Sequence, residues 1–224
     1  KDKILIGIQG ICTLCAEKYL ADLPPRVVRR VTFRDSVKKD SILMQQEKFR
    51  KRGEREVEAI RNAAHITGRT WMDKMFTTRI NENVKYHFMN ETLRSNFYEG
   101  TWNLDNCEKY SIFLSQGDYP LKGLHCMLKA MPAILKKYPQ AKVYVAGNSI
   151  VNYKTWKDKL KISSYGKYLR ELIKENRLKG KVTFLGKLTT PEMKEQYLKS
   201  HLFVCSSSIE NSPNSLGEAM LLGV

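Results

Sequence analysis

The pattern of apolar and polar positions divides the chain into two unequal stretches. From residue 110 onward, short apolar runs alternate with amphipathic ones. Tyr110–Ser115 reads as a strand, and Leu124, Leu128, Met131 and Leu135 then recur at helical spacing across Pro132. Lys142–Gly147 reads as a second strand, followed by a helix carrying Leu169, Leu172 and Ile173, and a strand over Val182–Gly186. A short helix opened by Thr190-Pro191-Glu192 and a strand over Leu202–Cys205 complete the series. Strict alternation of strand and helix predicts a parallel sheet wrapped by helices, a doubly wound domain from about residue 108. The earlier stretch is less regular. Ile4–Ile8 is a short apolar run ending at Gln9-Gly10, which reads as a buried strand delivering a turn to the ligand-binding edge of an α/β sheet. Asp40-Ser41 caps a highly charged helix with Val57, Ile60 and Ala64 on one stripe. His65–Thr70 reads as a strand end with Arg69 exposed at its tip, His65 being a polar histidine satisfied by its neighbours rather than a catalytic one. Residues 73–107, aromatic-rich and aperiodic, are expected to connect two domains.

A chain of 224 residues buries a sizeable core in one or two domains. The formal net charge of +16, from 39 basic and 23 acidic residues, attracts polyanions in general: nucleic acid, anionic lipid or phosphorylated substrates. It does not choose among them. No apolar run approaches the ~18 residues of a membrane helix, and Lys1–Gly7 lacks the features of a signal peptide, so a cytoplasmic location is expected. The cysteines at 12, 15, 107, 126 and 205 have no zinc-ligand spacing. They read as reduced and structural, with Cys12-Thr13-Leu14-Cys15 open to a redox reading.

The most informative stretch runs from Ser206 to Met220, which follows a strand and opens a helix. Unpaired amides and the helix dipole make such a start an anion site, suited to phosphate. Glu210 and Glu218 bracket it. Carboxylates repel phosphate, so they are expected to accept hydrogen bonds from hydroxyl groups on either side. Ser215-Leu216-Gly217-Glu218 also fits a capping box, which explains Glu218 without a ligand.

Glu210, seven intervening residues and Glu218, with Pro213 between them, Gly217-Glu218-Ala219 and Gly223, resembles the signature of retaining GT-B glycosyltransferases of family 4. Upstream, Gly117-Asp118-Tyr119-Pro120-Leu121-Lys122-Gly123 resembles the loop whose lysine binds the donor diphosphate in that family. The resemblance implies two Rossmann-like doubly wound parallel-sheet domains, both incomplete in this internal piece. Residues 1–107 would be the C-terminal part of the acceptor domain with the interdomain connection, and 108–224 the nucleotide-sugar donor domain. It places Glu210 near the hexose hydroxyls, Lys122 and the amides of Asn214, Ser215 and Leu216 near phosphate and sugar, Glu218 on the ribose, and Gly186-Lys187-Leu188 near the base. Many relatives carry an arginine where this chain has Gly117, which leaves Arg69 as a candidate second cation. They also carry a histidine where this chain has Gln9, and a glutamine can hydrogen-bond a sugar hydroxyl but cannot act as acid or base.

The function implied is metal-independent transfer of a sugar, with retention, from a UDP- or GDP-linked donor to a glycan or lipid-linked hydroxyl. No cofactor is needed beyond the donor substrate. No Asp-x-Asp metal motif occurs, and Lys122 with the helix start would stabilise the leaving diphosphate. The basic cluster Arg26, Arg29, Arg30 and Arg34 would suit a peripheral location at an anionic inner membrane face. Two rival readings are a basic nucleic-acid-binding module, for which charge is the support and no recognition motif is visible, and a sugar-nucleotide epimerase or isomerase on a similar scaffold. The paired motifs favour transfer, and no nucleic-acid partner is expected.

Overall fold

A computed structural model describes residues 4–151, 155, 158 and 160–224. Lys1–Lys3, part of the stretch read for a leader, lie outside them. The chain forms two parallel sheets. The first has the order β1-β2-β3, from Leu5–Gly7, His65–Gly68 and Lys85–Phe88. The second has β4 (Glu108–Leu114), β5 (Lys142–Ala146), β6 (Val182–Gly186) and β7 (Ser200–Phe203) in the order β6-β5-β4-β7.

In the second sheet, alternation of side chains along the strands builds a core on both faces. Ile112 and Leu114 of β4 and Val143 and Val145 of β5 enter one cluster, with Leu124, Leu128 and Met131 of α6 (Leu124–Lys137) and Leu169 and Leu172 of α7 (Ser164–Glu175). Phe113, between Ile112 and Leu114, and Ala146, after Val145, face the opposite cluster. There they meet Met193 and Tyr197 of α8 (Thr190–Lys199) and Ala219 and Leu222 of α9 (Asn214–Leu222). Helix α6 runs through Pro132 as its hydrophobic spacing required.

The first sheet has one small cluster, in which Ile8, Ile11, Ile60 and Ile66 are buried. Between β1 and β2 lie α1 (Cys12–Lys18), α2 (Pro25–Val28), α3 (Phe33–Lys38) and α4 (Ile42–Arg61), the last capped by Ser41 as expected. Glu56 of α4 accepts the first amides of α1, from Cys12 at 3.0 Å and Thr13 at 3.3 Å. Much of this crossover packs on the other sheet. Tyr19, Leu23, Val27, Val28 and Ile42 join the larger core, and buried His125 of α6 bonds the Ala21 carbonyl at 2.7 Å. Burial lowers the His125 pKa, so it holds this contact as a neutral ring. Arg30 reaches Glu171 of α7 at 3.0 Å and Arg34 reaches Asp40 at 3.1 Å, so half of the basic cluster is engaged in ion pairs.

The segment expected to be irregular from 73 contains two regular elements. Helix α5 (Trp71–Ile80) begins at a capping box in which Thr70 and Asp73 bond each other's backbone, and β3 adds to the first sheet. The aromatic content had obscured that box and the four-residue strand. The connection proper is shorter, from residue 89 to 107, and includes a turn of 3-10 helix at Ser95–Tyr98 that buries Phe97 among α8 and α9.

Candidate active site

The carboxyl edges of both sheets face a cleft of 320 Å³. On one side stand Gln9, after β1, and Arg69, after β2; on the other are Lys122, Glu210, Pro213 and Asn214. Lys122 ends a 3-10 turn, and its backbone is fixed by Gly123, which takes the left-handed conformation at φ +68°. A Cβ there would lie 1.9 Å from the Ser206 carbonyl, so only glycine lets the lysine loop lie against the strand-to-helix loop. That approach brings Lys122 Nζ to 2.6 Å from Glu210 Oε1. Burial, the largest single influence, would lower the lysine pKa, but the hydrogen bond to Glu210 and the attraction of Tyr119, Glu210 and Cys205 together outweigh it and the net shift is upward, so the lysine stays charged.

The loop that carries Glu210 is tied to the first sheet by Asn211. Its amide donates to Asp73 Oδ2 at 3.1 Å, and its carbonyl oxygen accepts from the Thr70 hydroxyl at 2.7 Å. Asp73 is fully buried and also accepts from the Tyr86 hydroxyl and from the backbone amides of Arg69 and Thr70. Burial would raise its pKa, and these donors more than reverse that, holding it below the usual value. Arg69 was expected at an exposed tip, yet its side chain is only 9% exposed. It crosses the cleft to the Ser212 carbonyl and Asn214, donates to Gln9 at 2.6 Å, and pairs with Glu91. A charge buried at a sheet edge finds partners, and here they come from both sides.

Helix α9 starts at Asn214 directly after Pro213, with no side-chain cap, so Ser215 and Glu218 form no capping box. The amides of Asn214 and Ser215 make no hydrogen bond among the described residues, whereas that of Leu216 donates to the Pro213 carbonyl at 3.0 Å. Two free amides therefore point from the helix start. Glu218 is 2% exposed and both its oxygens are bound by Arg94 of the connection, each at 2.7 Å. Leu188 packs, partly buried, on the Phe97 and Tyr197 cluster, and Gly117 is buried beneath the lysine loop. A Cβ at Gly117 would meet Leu124 at 2.6 Å, so close packing explains the glycine and no longer side chain fits there. Cys15 lines the cleft, but burial pushes its thiol up to about 11, and Cys12 is shifted the same way; both are poor thiolate sources.

Sequence reasoning missed Asp73, Asn211 and Arg94. The Thr70-x-x-Asp73 spacing of a capping box was visible for Asp73; a lone arginine in an aperiodic segment carries no signal for its distant partner.

Residues 98–224 match the family model described as glycosyl transferases group 1. The chain belongs to this family. Solved structures agree on the fold. Sucrose-phosphate synthase from Thermosynechococcus elongatus superimposes with a TM-score of 0.64 at 16% identity, over 98% of this chain and 48% of that one. Anabaena HepE, in complex with UDP and glucose, gives 0.58 at 16% identity over 75% of this chain and 46% of that one. The pneumococcal O-GlcNAc transferase GtfA, in complex with UDP and GlcNAc, gives 0.57 at 13% identity over 74% and 30%. At these identities the likeness establishes the GT-B fold with its two Rossmann-like units, and the chain spans less than half the length of each of these proteins. No curated protein matches the chain. Among the described residues no helix is long and apolar enough to cross a membrane.

Proposed function

We propose that this chain carries the donor site of a retaining, metal-independent glycosyltransferase that moves a sugar from a UDP- or GDP-linked donor to a hydroxyl of a glycan or lipid-linked acceptor. The observation that carries this reading is the Lys122–Glu210 pair at 2.6 Å, placed in a cleft beside the open start of α9. A cation, free amides and a carboxylate are the three groups that a sugar diphosphate needs. Lys122 and the amides of Asn214 and Ser215 would take the diphosphate, because positive charge and unpaired N–H groups stabilise the charge that grows as the glycosidic bond breaks. This neutralisation by fixed protein groups is why no divalent ion is invoked. Glu210, released from Lys122, would accept hydrogen bonds from the hexose hydroxyls and orient the sugar. It positions the donor and does not attack it. Gln9, held by Arg69, would hydrogen-bond the sugar or the incoming hydroxyl without exchanging a proton.

The acceptor has a route. A cavity of 530 Å³ adjoins the cleft through Phe49 and Tyr119, which line both, and it is bordered by Arg34 and Lys48, both paired with Asp40, and by Arg52 and Asp118. A polar glycan or the headgroup of a lipid-linked one, with hydroxyl groups that both donate and accept, suits this mixed polar lining. The division of labour follows: the unit from 108 holds the donor and the earlier one faces the acceptor.

Thermal unfolding of the chain with saturating UDP, GDP or CMP tests the donor site. A ligand at 100 times its Kd stabilises the folded state by about 2.7 kcal/mol. Stabilisation by one diphosphate that disappears in Lys122→Ala supports the site and names the base; equal stabilisation of Lys122→Ala removes the assigned role of the lysine.

A further inference from the structure

The basic stretch from Arg26 to Asp40 is only partly used by the fold. Its two acidic residues are already taken: Asp35 is fully buried and accepts from the Ser164 amide at 2.8 Å, and Asp40 is bound by Arg34 at 3.1 Å and Lys48 at 3.0 Å. Arg26, Arg29, Lys38 and Lys39 are exposed and form no ion pair among the described residues. Three apolar side chains stand among these cations. Val31 is 57% exposed, and Phe33 and Val37 are each 66% exposed. Phe33 and Val37 lie four residues apart on α3, so they share one face of the helix. That face is held outward because α3 is anchored through other residues. Thr32 and Asp35 close a capping box, Asp35 also takes the Ser164 amide, and the Thr32 hydroxyl donates to the Ile162 carbonyl at 2.6 Å.

Large apolar side chains held in water by a fixed backbone and ringed by unpaired cations select their partner. A second copy of the chain would bring like charges face to face across a two-fold contact. A nucleic-acid backbone would meet the cations and leave the apolar groups in water. The surface of an anionic bilayer satisfies both, with phosphate headgroups outside and acyl chains just beneath. The face also stands beside the approach to the cleft, since Arg34, next to Phe33, lines the 530 Å³ cavity.

We infer that Val31, Phe33 and Val37, rimmed by Arg29, Lys38 and Lys39, dock this chain on an anionic lipid surface. Delivery of a lipid-linked acceptor to the neighbouring cavity rests on the function proposed above; the docking itself does not.

Co-sedimentation of the chain with vesicles of phosphatidylcholine, alone or mixed with phosphatidylglycerol, tests the docking. Binding to the mixed vesicles and little to the neutral ones is expected. Phe33→Ser with Val37→Ser should weaken that binding about tenfold or more. Lys38→Gln with Lys39→Asn should weaken it about twentyfold; asparagine suits the left-handed backbone of Lys39 at φ +48°. Because a net charge of +16 is drawn to any anionic surface, Lys136→Gln with Lys137→Gln, exposed at the end of α6, is the matched control and should change binding less than about threefold. An equal loss in that control, or full binding by the serine pair, reduces the effect to diffuse attraction and overturns the docking face. Absence of binding to either vesicle overturns it outright. A dimer in solution that the serine pair dissolves assigns the face to a second copy instead. The substituted side chains are exposed, so unchanged unfolding midpoints are expected; should the serine pair not fold, the two lysine pairs carry the test. The assay contains no nucleotide, so the docking and the donor site fail separately.

Discussion

The two sheets reach the same cleft by different means. The second is covered on both faces, and its loops are fixed from beneath by packed side chains: Leu124 under Gly117, and Ser206 against Gly123. The first has one small cluster, leaves Leu5 and Phe88 of its outer strands more than half or half exposed, and gives part of its crossover to its neighbour's core. Its cleft loop is held instead by hydrogen bonds, chiefly through Asp73, Asn211 and Arg69. Packing is tolerant of pH and ionic conditions, while a buried polar clasp is strong only when every member is satisfied. The cleft therefore has one rigid wall and one conditional wall.

Substitution at the rigid wall gives the largest effect. Gly123→Ala places a methyl group against the Ser206 carbonyl and also forces an L-residue into the left-handed region. We expect a loss of roughly 3–5 kcal/mol and of nucleotide binding, because the lysine loop must lift away. Gly223→Ala is the matched control: it has a similar φ of +82° but open space around it, and is expected to cost about 1–2 kcal/mol. Urea unfolding of both variants measures the difference. Equal losses would mean that backbone conformation alone, and not the close approach of the two loops, sets the requirement for glycine.

That same asymmetry governs how much was legible beforehand. The second sheet announced itself, since two-sided burial writes continuous apolar strands between amphipathic helices, and all four strands and their helices were placed to within a few residues. Lys122 and Glu210 were legible as motifs, and their direct pairing follows from the glycine between their loops. The first sheet was only partly readable. Its strands are three or four residues long, and Lys85-Tyr86-His87-Phe88 offers no clean alternation. Long-range polar partners leave no periodic trace at all: neither Asp73 with Asn211 nor Arg94 with Glu218 could be inferred from spacing, and Ser215-x-x-Glu218 pointed to a cap that Arg94 pre-empts.

The conditional wall is probed by Asp73→Asn. The amide keeps the shape but sets an N–H₂ group against donors from Asn211, Arg69, Thr70 or Tyr86, leaving buried groups unpaired. A loss of about 2–3 kcal/mol is expected. Because the clasp joins the two sheets, proteolytic cleavage within the connection from 89 to 107 should also accelerate. Stability lost without faster cleavage there would place the damage inside the first sheet, and the comparison between the walls would have to be redrawn.

The smallest and most specific effect is the pH dependence of that clasp. The Asp73 carboxyl is held below its ordinary value of about 3.9 in the folded protein, while in the unfolded chain it returns to it. A depressed folded pKa means that the unfolded state takes up the proton first as pH falls. The contribution of the ionised group is therefore complete above the ordinary carboxylate range and declines as pH drops through that range towards the folded value. Glu108 and Glu192 are depressed as well, by their bonds to Tyr144 and Lys142 and to Thr189, so acid weakens the whole protein. Subtraction isolates Asp73: the stability difference between the unaltered chain and Asp73→Asn should stay flat from pH 7 to about 5 and shrink below about 4. A difference that remains constant down to pH 3 would show that the clasp does not depend on the charge of Asp73, and that shape alone holds the second wall in place.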